Sequence, residues 1–277
     1  VALDGSDTPH LAYYVCRGLD GELHYAVKNG GEWQTEVADA GGSVGHFPTL
    51  VLSDDGTPFI CHYDCTEGTL KLTHKDGSNW VEEIVDPHAE FGDATSMVMA
   101  SDGTLRIAYA DSVTGELRYA HQSGASWVID VVAAMPEATP ALSLCLDKGD
   151  RPYLVYFDTT NGGLGLATKG PDGWSHEFID PYAYAGLSCS AAFGPDSALY
   201  VAYREIEPDR LLLARRARGL WAKEIVRTGY AAGTDASLAI TPDGHLGISH
   251  YSADDVALVY SSRRLYWRRP APGLVSR

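Results

Sequence analysis

The sequence contains no uninterrupted apolar run approaching the ~18–20 residues that a membrane-spanning helix requires, so no membrane span is expected. Cysteine is scarce: Cys16, Cys61, Cys65, Cys145 and Cys189 are odd in number, irregularly spaced and include no Cys-x-x-Cys pair. That excludes a disulfide framework and a zinc ribbon, and it reads most of them as small buried hydrophobes. Basic residues are outnumbered, with 21 Lys and Arg against 37 Asp and Glu and a formal charge of -16. Such a surface repels phosphate backbones and anionic membranes, so nucleic acid is not an expected partner. The arginines that do occur cluster at 204–218 and 263–269, which reads as solvated edges late in the chain. Nucleophile elbows, phosphate-binding loops, dinucleotide fingerprints and His-Glu-x-x-His motifs are all missing. Helical periodicity is missing too.

What the sequence does have is a repeat. Its six tryptophans, Trp33, Trp80, Trp127, Trp174, Trp221 and Trp267, follow one another at intervals of 47 residues, the last at 46. Seven residues before each of the first five ends an apolar strand: LHYA at 23–26, LKLT at 70–73, LRYA at 117–120, LGLA at 164–167 and LLLA at 211–214. A second alternating run lies upstream, as in ICHY at 60–63 and LVYF at 154–157, and an apolar strand such as TLVL at 49–52 precedes a tight turn before it. Four short strands per ~47-residue unit, parted by Gly, Asp and Asn turns, mark a β-propeller blade. The expected fold is therefore all-β: a six-bladed propeller with four antiparallel strands per blade, one domain over residues 1–277. Blades fall at about 1–38, 39–85, 86–132, 133–179, 180–226 and 227–277. The longest connection, as at 39–48, must carry the chain from a blade's outer edge to the next blade's inner edge. The Trp strand is then outermost, TLVL-type strands surround the axis, and long loops gather on one face. A monomer is expected.

The composite pattern Asp-x-Gly-x-Pro, then Tyr-x-Asp, then Leu-x-Tyr-Ala and Trp, resembles the repeats of bacterial propellers in the broad sialidase-like (BNR-type) group. The resemblance spans nearly the whole chain and implies the fold. It carries glycosidases, polysaccharide lyases, lectins and scaffolds alike, so it does not select a function. The Asp-box is only partly echoed, by SDDGTPF at 53–59, and no arginine triad accompanies it.

Residues common to every blade serve the blade, so the Trp column and the column Thr49, Ser96, Ser143, Ser190 and Ser237 are assigned to packing and backbone bonding. Function is sought where a blade departs from the pattern. An aromatic column reads Tyr13, His62, Tyr109, Tyr156, Tyr203 and His250. Two residues on stand Val15, Asp64, Asp111, Asp158, Glu205 and Ser252, on the same strand face. A carboxylate beside an imidazole orients it and raises its pKa, which suits acid–base chemistry; repeated blade-to-loop hydrogen bonds are the structural alternative. Arg204 takes a place held elsewhere by an aromatic residue and offers a guanidinium clamp for an anion, or a partner for Glu205 or Glu207. His46, Phe47, Asp93 and Asp235 enter the inner strands, and His46, Asp93 and Asp235 are the candidate ligands for a divalent cation near the axis. His88, Phe91, Tyr182, Tyr184 and Tyr230 form a candidate aromatic rim.

These readings lead to an axial pocket on the long-loop face that binds a glycan-like or secondary-metabolite ligand. A lyase or hydrolase would use His62 or His250 as base or acid, Tyr203 or Tyr13 as proton donor, Glu205 beside Tyr203, and Arg204 to neutralise charge. Asp64, Asp111 and Asp158 would join the ligand-binding set. The alternative is a non-catalytic, lectin-like or protein-interaction propeller, which predicts ligand-sized clefts between blades. A scaffold domain of a larger protein is the third reading. The composition fits secreted, periplasmic and cytoplasmic locations alike.

Overall fold

The computed structural model describes residues 1–18, 20–89, 92, 94–135, 141–181 and 184–265. It is an all-β, six-bladed propeller in fold class, and the described residues include no helix long and apolar enough to cross a membrane. Six antiparallel sheets follow one another as meanders, each strand paired with its sequence neighbours. The first sheet holds β1 (Ala2–Leu3), β2 (Pro9–Arg17), β3 (Asp20–Asn29) and β4 (Glu32–Asp39), and the second β5 (Val44–Leu52), β6 (Pro58–Asp64), β7 (Thr69–Asp76) and β8 (Asn79–Asp86). The third is β9 (Thr95–Met99), β10 (Leu105–Asp111), β11 (Glu116–Ser123) and β12 (Ser126–Ala134). The fourth is β13 (Leu142–Leu146), β14 (Pro152–Asp158), β15 (Gly163–Gly170) and β16 (Gly173–Asp180). The fifth is β17 (Ala185–Phe193), β18 (Leu199–Ile206), β19 (Asp209–Ala217) and β20 (Leu220–Thr228); the sixth, within the described residues, is β21 (Thr234–Ile240), β22 (His245–Ser252) and β23 (Ala257–Arg264). Contacts group them into two compact units, residues 1–183 with four sheets and residues 184–277 with two.

Within each unit the core lies in the seams between successive sheets. Leu23, Tyr25, Leu50 and Ile60 fill the seam between the first and second sheets. Cys61, Leu72, Met97 and Ile107 fill the next, and Tyr119, Leu144, Leu154 and Ala167 the one after. Adjacent residues Ile60 and Cys61 thus face opposite neighbours. A strand buried on both faces carries apolar residues toward both neighbours, which is why β6, β10 and β14 are apolar at consecutive positions through their middles. In the second unit Tyr200, Leu213, Leu238 and Ile248 play the same part. No disulfide joins the five cysteines, and burial pushes the thiols of Cys61, Cys145 and Cys189 upward in pKa.

Three repeated contacts tie a sheet to the one before it. The indole of Trp80 meets the Tyr25 ring edge-on at 5.2 Å, and Trp174 meets Tyr119 at the same distance. Cations on the third strand reach back to acids on the preceding outer strand: Lys75 to Glu36, Lys169 to Asp130 and Arg263 to Glu224. The inner strands are stitched by hydroxyls, the Leu144 N–H donating to Ser96 Oγ at 3.0 Å and the Leu238 N–H to Ser190 Oγ at 3.0 Å.

The same residue type is unequally placed along the Trp column. Trp33 is 45% exposed, whereas Trp80 is half-buried against Tyr25. Trp80→Ala is expected to cost about 2–3 kcal/mol of unfolding free energy, and Trp33→Ala less than about 1 kcal/mol. Urea titrations of the two variants check this; equal losses would contradict the assignment.

Candidate functional site

The first two seams carry polar groups in register at the end of the second strand. At the first seam these are Asp39 at the end of β4, His62 and Asp64 on β6 and Lys71 on β7, where His62 pairs across the ladder with Lys71. The Lys71 ammonium lies 2.8 Å from Asp64, 3.1 Å from Glu82 and 3.4 Å from Asp39. Burial alone would lower its pKa, but hydrogen bonds to Asp64 and Glu82 and the field of Asp39 raise it. Asp64 also accepts the N–H groups of Thr66 and Glu67 at 2.9 and 3.0 Å, closing the loop after β6. The second seam repeats the device. Arg118 lies 2.8 Å from Asp86, 3.0 Å from Asp111 and 2.8 Å from Glu116, the Tyr109 hydroxyl donates to Asp86 at 2.6 Å, and Asp111 accepts the N–H groups of Val113 and Thr114 at 3.0 Å each.

The third seam breaks the series. Gly165 stands in the place of Lys71 and Arg118, opposite Tyr156 in the ladder, and Ala133 stands in the place of Asp39 and Asp86. Asp158 keeps the loop-closing role of Asp64 and Asp111, accepting the N–H groups of Thr160 and Asn161 at 2.9 and 3.0 Å and the Asn161 amide at 2.9 Å. The Tyr156 ring lies over Gly165, where an added Cβ would come within 2.8 Å of its Cζ. Its hydroxyl stands 3.2 Å from Nδ1 of His176. Burial, then the charge of Asp158, pushes the Tyr156 phenol up to about 12. The side chains lost from this seam leave a cleft of about 340 Å³, floored by Met135, Tyr156 and Gly165 and rimmed by Asp158, Asn161, Thr160, His176, Glu177 and Phe178. That volume is in the range of small-molecule sites. A wider depression of about 550 Å³ lies between the tight turns at 53–57 and 100–103, but Asp55 there is committed to Ser53 and Thr57 of its own turn.

The residues singled out by sequence have other employment. His62 is enclosed: its Nδ1 accepts the Gly45 N–H at 3.1 Å and its Nε2 lies 2.9 Å from Thr73 Oγ1 and 3.6 Å from Asp39. His250 is equally buried and its Nδ1 accepts the Gly233 N–H at 3.2 Å. Gly45 and Gly233 have φ of 89° and 90°, and at Gly45 a Cβ would strike the Leu23 backbone at 2.7 Å. The imidazole is therefore the acceptor for a bulged strand entry, and the expectation of open acid–base histidines is corrected. Asp64 serves Lys71 and its loop rather than the imidazole. Tyr203 and Glu205 are buried as well, Glu205 pairing with Arg210. Arg204 binds Asp209 at 2.7 and 3.1 Å, in place of the expected Glu205, Glu207 or an anion. Tyr13 is half-buried with its ring 5.5 Å from that of His24.

His46 is half-buried, stacks at 4.2 Å on Tyr14 and lies 2.8 Å from the Ser43 hydroxyl, and burial lowers its pKa. Phe47 and Asp235 are exposed at equivalent left-handed positions, with φ of 49° and 51°. Asp93, Phe91 and Tyr182 lie outside the described residues. Among the described residues no three His, Cys, Asp or Glu side chains are grouped to hold a metal ion, and the candidate set of His46, Asp93 and Asp235 falls partly outside those residues. Tyr184, Tyr230 and His88 are exposed. Of the predicted ligand-binding residues, Asp158 lines the cleft at the third seam. The signal that marks this cleft in the sequence is the glycine of LGLA, set against LKLT and LRYA.

Burial holds the His62 imidazole down at about pKa 4, with smaller opposing effects from the Tyr63 carbonyl and neighbouring acids. The folded state then binds fewer protons than the unfolded chain between pH 6.5 and 4. Stability from this group is complete above pH 6.5 and falls by about 3 kcal/mol on descending to pH 4. Ring-proton NMR should show His62 unprotonated down to pH 5; a midpoint near 6.5 would mean that the ring is solvated.

No protein-family model and no curated protein sequence matches the chain. Solved structures match it throughout. A polysaccharide lyase described as an ulvan lyase aligns with a TM-score of 0.63 at 13% identity, over 95% of this chain and 79% of that one. The SapL1 lectin, solved with alpha methyl fucoside, aligns with 0.60 at 13% identity over 95% and 91%. An alpha-L-arabinofuranosidase from Fusarium graminearum, bound to an iminosugar inhibitor, aligns with 0.60 at 14% identity over 95% and 91%. At such identities the likeness is one of fold: this chain is a six-bladed β-propeller whose solved structural neighbours include a lectin, a lyase and a glycosidase.

Proposed function

We propose that the protein is a lectin-like carbohydrate-binding propeller, taking a saccharide-sized ligand into the cleft between its third and fourth sheets. The observation that carries this reading is the replacement of a filled, salt-bridged seam end by an open cleft of about 340 Å³ at Gly165 and Ala133. The residues around it suit a sugar. Phe178 is 41% exposed and offers a ring face to the C–H groups of a pyranose. Asp158, Asn161, Thr160 and His176 supply acceptors and donors for its hydroxyls. The repeat's resemblance to the sialidase-like group, and neighbours that include glycan-active propellers, accord with the same ligand class.

Binding is preferred to catalysis on chemical grounds. With its phenol raised to about 12, Tyr156 keeps its proton at neutral pH and serves as a donor rather than a base. The histidines named for acid–base work are buried and bonded to backbone. The Tyr156–His176 pair in the cleft is the feature that would favour a processing reaction.

Titration calorimetry against a panel of neutral and amino oligosaccharides tests the proposal. Phe178→Ala is expected to weaken binding about ten-fold, and Gly165→Arg, which refills the seam, to abolish it. Phe178→Ala should unfold within a few degrees of the parent. Gly165→Arg must displace the Tyr156 ring, whose Cζ lies 2.8 Å from an added Cβ, so its loss of binding counts only where its circular dichroism matches the parent's. Undiminished affinity in both would remove the cleft from consideration, and shortening of an oligosaccharide by the parent but not by His176→Ala would replace binding with processing.

A further inference from the structure

The two preceding seams show what the polar frame of this cleft is built to hold. In each, a loop-closing aspartate turns one oxygen to backbone N–H groups and the other to a cation. Asp64 takes the Lys71 ammonium at 2.8 Å, and Asp111 takes the Arg118 guanidinium at 3.0 Å. At the third seam the aspartate and its loop are retained, with Asp158 Oδ1 accepting Thr160 and Asn161 N–H as its counterparts do. The cation is gone, because position 165 is glycine. Oδ2 of Asp158 receives the neutral amide of Asn161, and a carboxylate oxygen with one neutral donor retains acceptor capacity. Lys169, the basic residue of the neighbouring strand, is paired with Asp130.

Resting on the cleft as the ligand site, we propose that its ligand carries a positively charged nitrogen, in the class of sugars with a free amino group. The ligand's ammonium would occupy the place of the Lys71 and Arg118 head groups, against Asp158. Met135 and Phe178 would cover the sugar's apolar face, and Thr160, Asn161 and His176 would meet its hydroxyls. The net charge of -16 draws such a ligand toward the surface from a distance.

The chain's methionine content makes a direct test available. It has three methionines, Met97, Met99 and Met135, and of these Met135 floors the cleft. In a spectrum of the full chain labelled at methionine methyls, methyl glucosaminide should move the Met135 resonance. It should do so at a concentration about ten-fold lower than methyl glucoside or methyl N-acetylglucosaminide needs, the margin of one charge-assisted hydrogen bond. Asp158→Asn keeps a carbonyl oxygen for the loop N–H groups, removes the charge, and should erase that preference while Met97 and Met99 stay in place. Gly165→Arg should abolish the Met135 response to all three sugars. If the three sugars move Met135 equally, the cleft reading survives and the cationic ligand does not. A preference that persists in Asp158→Asn also overturns the inference, and no movement with any sugar overturns both.

Discussion

The fold depends on the burial of one sheet against the next, and in the first two seams an ionic tie sets their register. Each sheet has two apolar faces, and neither can be left in water. Ile60 looks to the first sheet and Cys61 to the third, so the second sheet is stable only between neighbours. The ionic ties do not supply the driving force. Taking Lys71 and two or three carboxylates out of water costs about as much as their attraction returns. They fix how far one sheet slides over the next, because Lys71 must reach Asp39 of the preceding sheet and Asp64 of its own.

This constraint explains why the architecture was legible in the sequence. The tryptophans keep their interval because the indole packs on the preceding third strand, as Trp80 meets Tyr25, Trp174 meets Tyr119 and Trp127 joins the cluster that holds Leu72. The hydroxyl column keeps its interval because Ser96 and Ser190 each receive an N–H from the next inner strand. Contacts made between consecutive repeats can only recur at the repeat length. What the repeat could not convey is local backbone geometry. Nothing in the letters shows that the Gly45 and Gly233 N–H groups turn inward, so His62 and His250 looked like chemical departures from a tyrosine column when they are acceptors for those groups. Arg204 was read against Glu205 and Glu207, and the fold of its hairpin brings Asp209 instead.

The candidate site is faint in the sequence for a different reason. A reading that searches for reactive side chains passes over positions where a side chain has been removed. Gly165 and Ala133 carry no chemistry of their own, and only the three-dimensional frame shows that they stand where a cation and a carboxylate stand in the seams before them. Asp158 was identified among the ligand-binding set, but for its place in a column rather than for the vacancy beside it.

The joint absence of both partners follows from the energetics of buried charge. Removing a lysine alone from such a seam would strand the facing aspartate in an apolar environment, a loss of about 3–5 kcal/mol. Removing both leaves no uncompensated charge, and the cost is that of lost packing. Asp158 can remain because it is only half-buried and is held by two backbone N–H groups and the Asn161 amide, with room on Oδ2 for a further donor. A site formed in this way therefore comes with an acidic residue already oriented by the fold, an apolar floor inherited from the seam, and a shape set by the side chains it lost. In a chain whose two preceding seams hold lysine or arginine at that point, recognition of a charged nitrogen requires no new machinery, only that the internal cation be withheld.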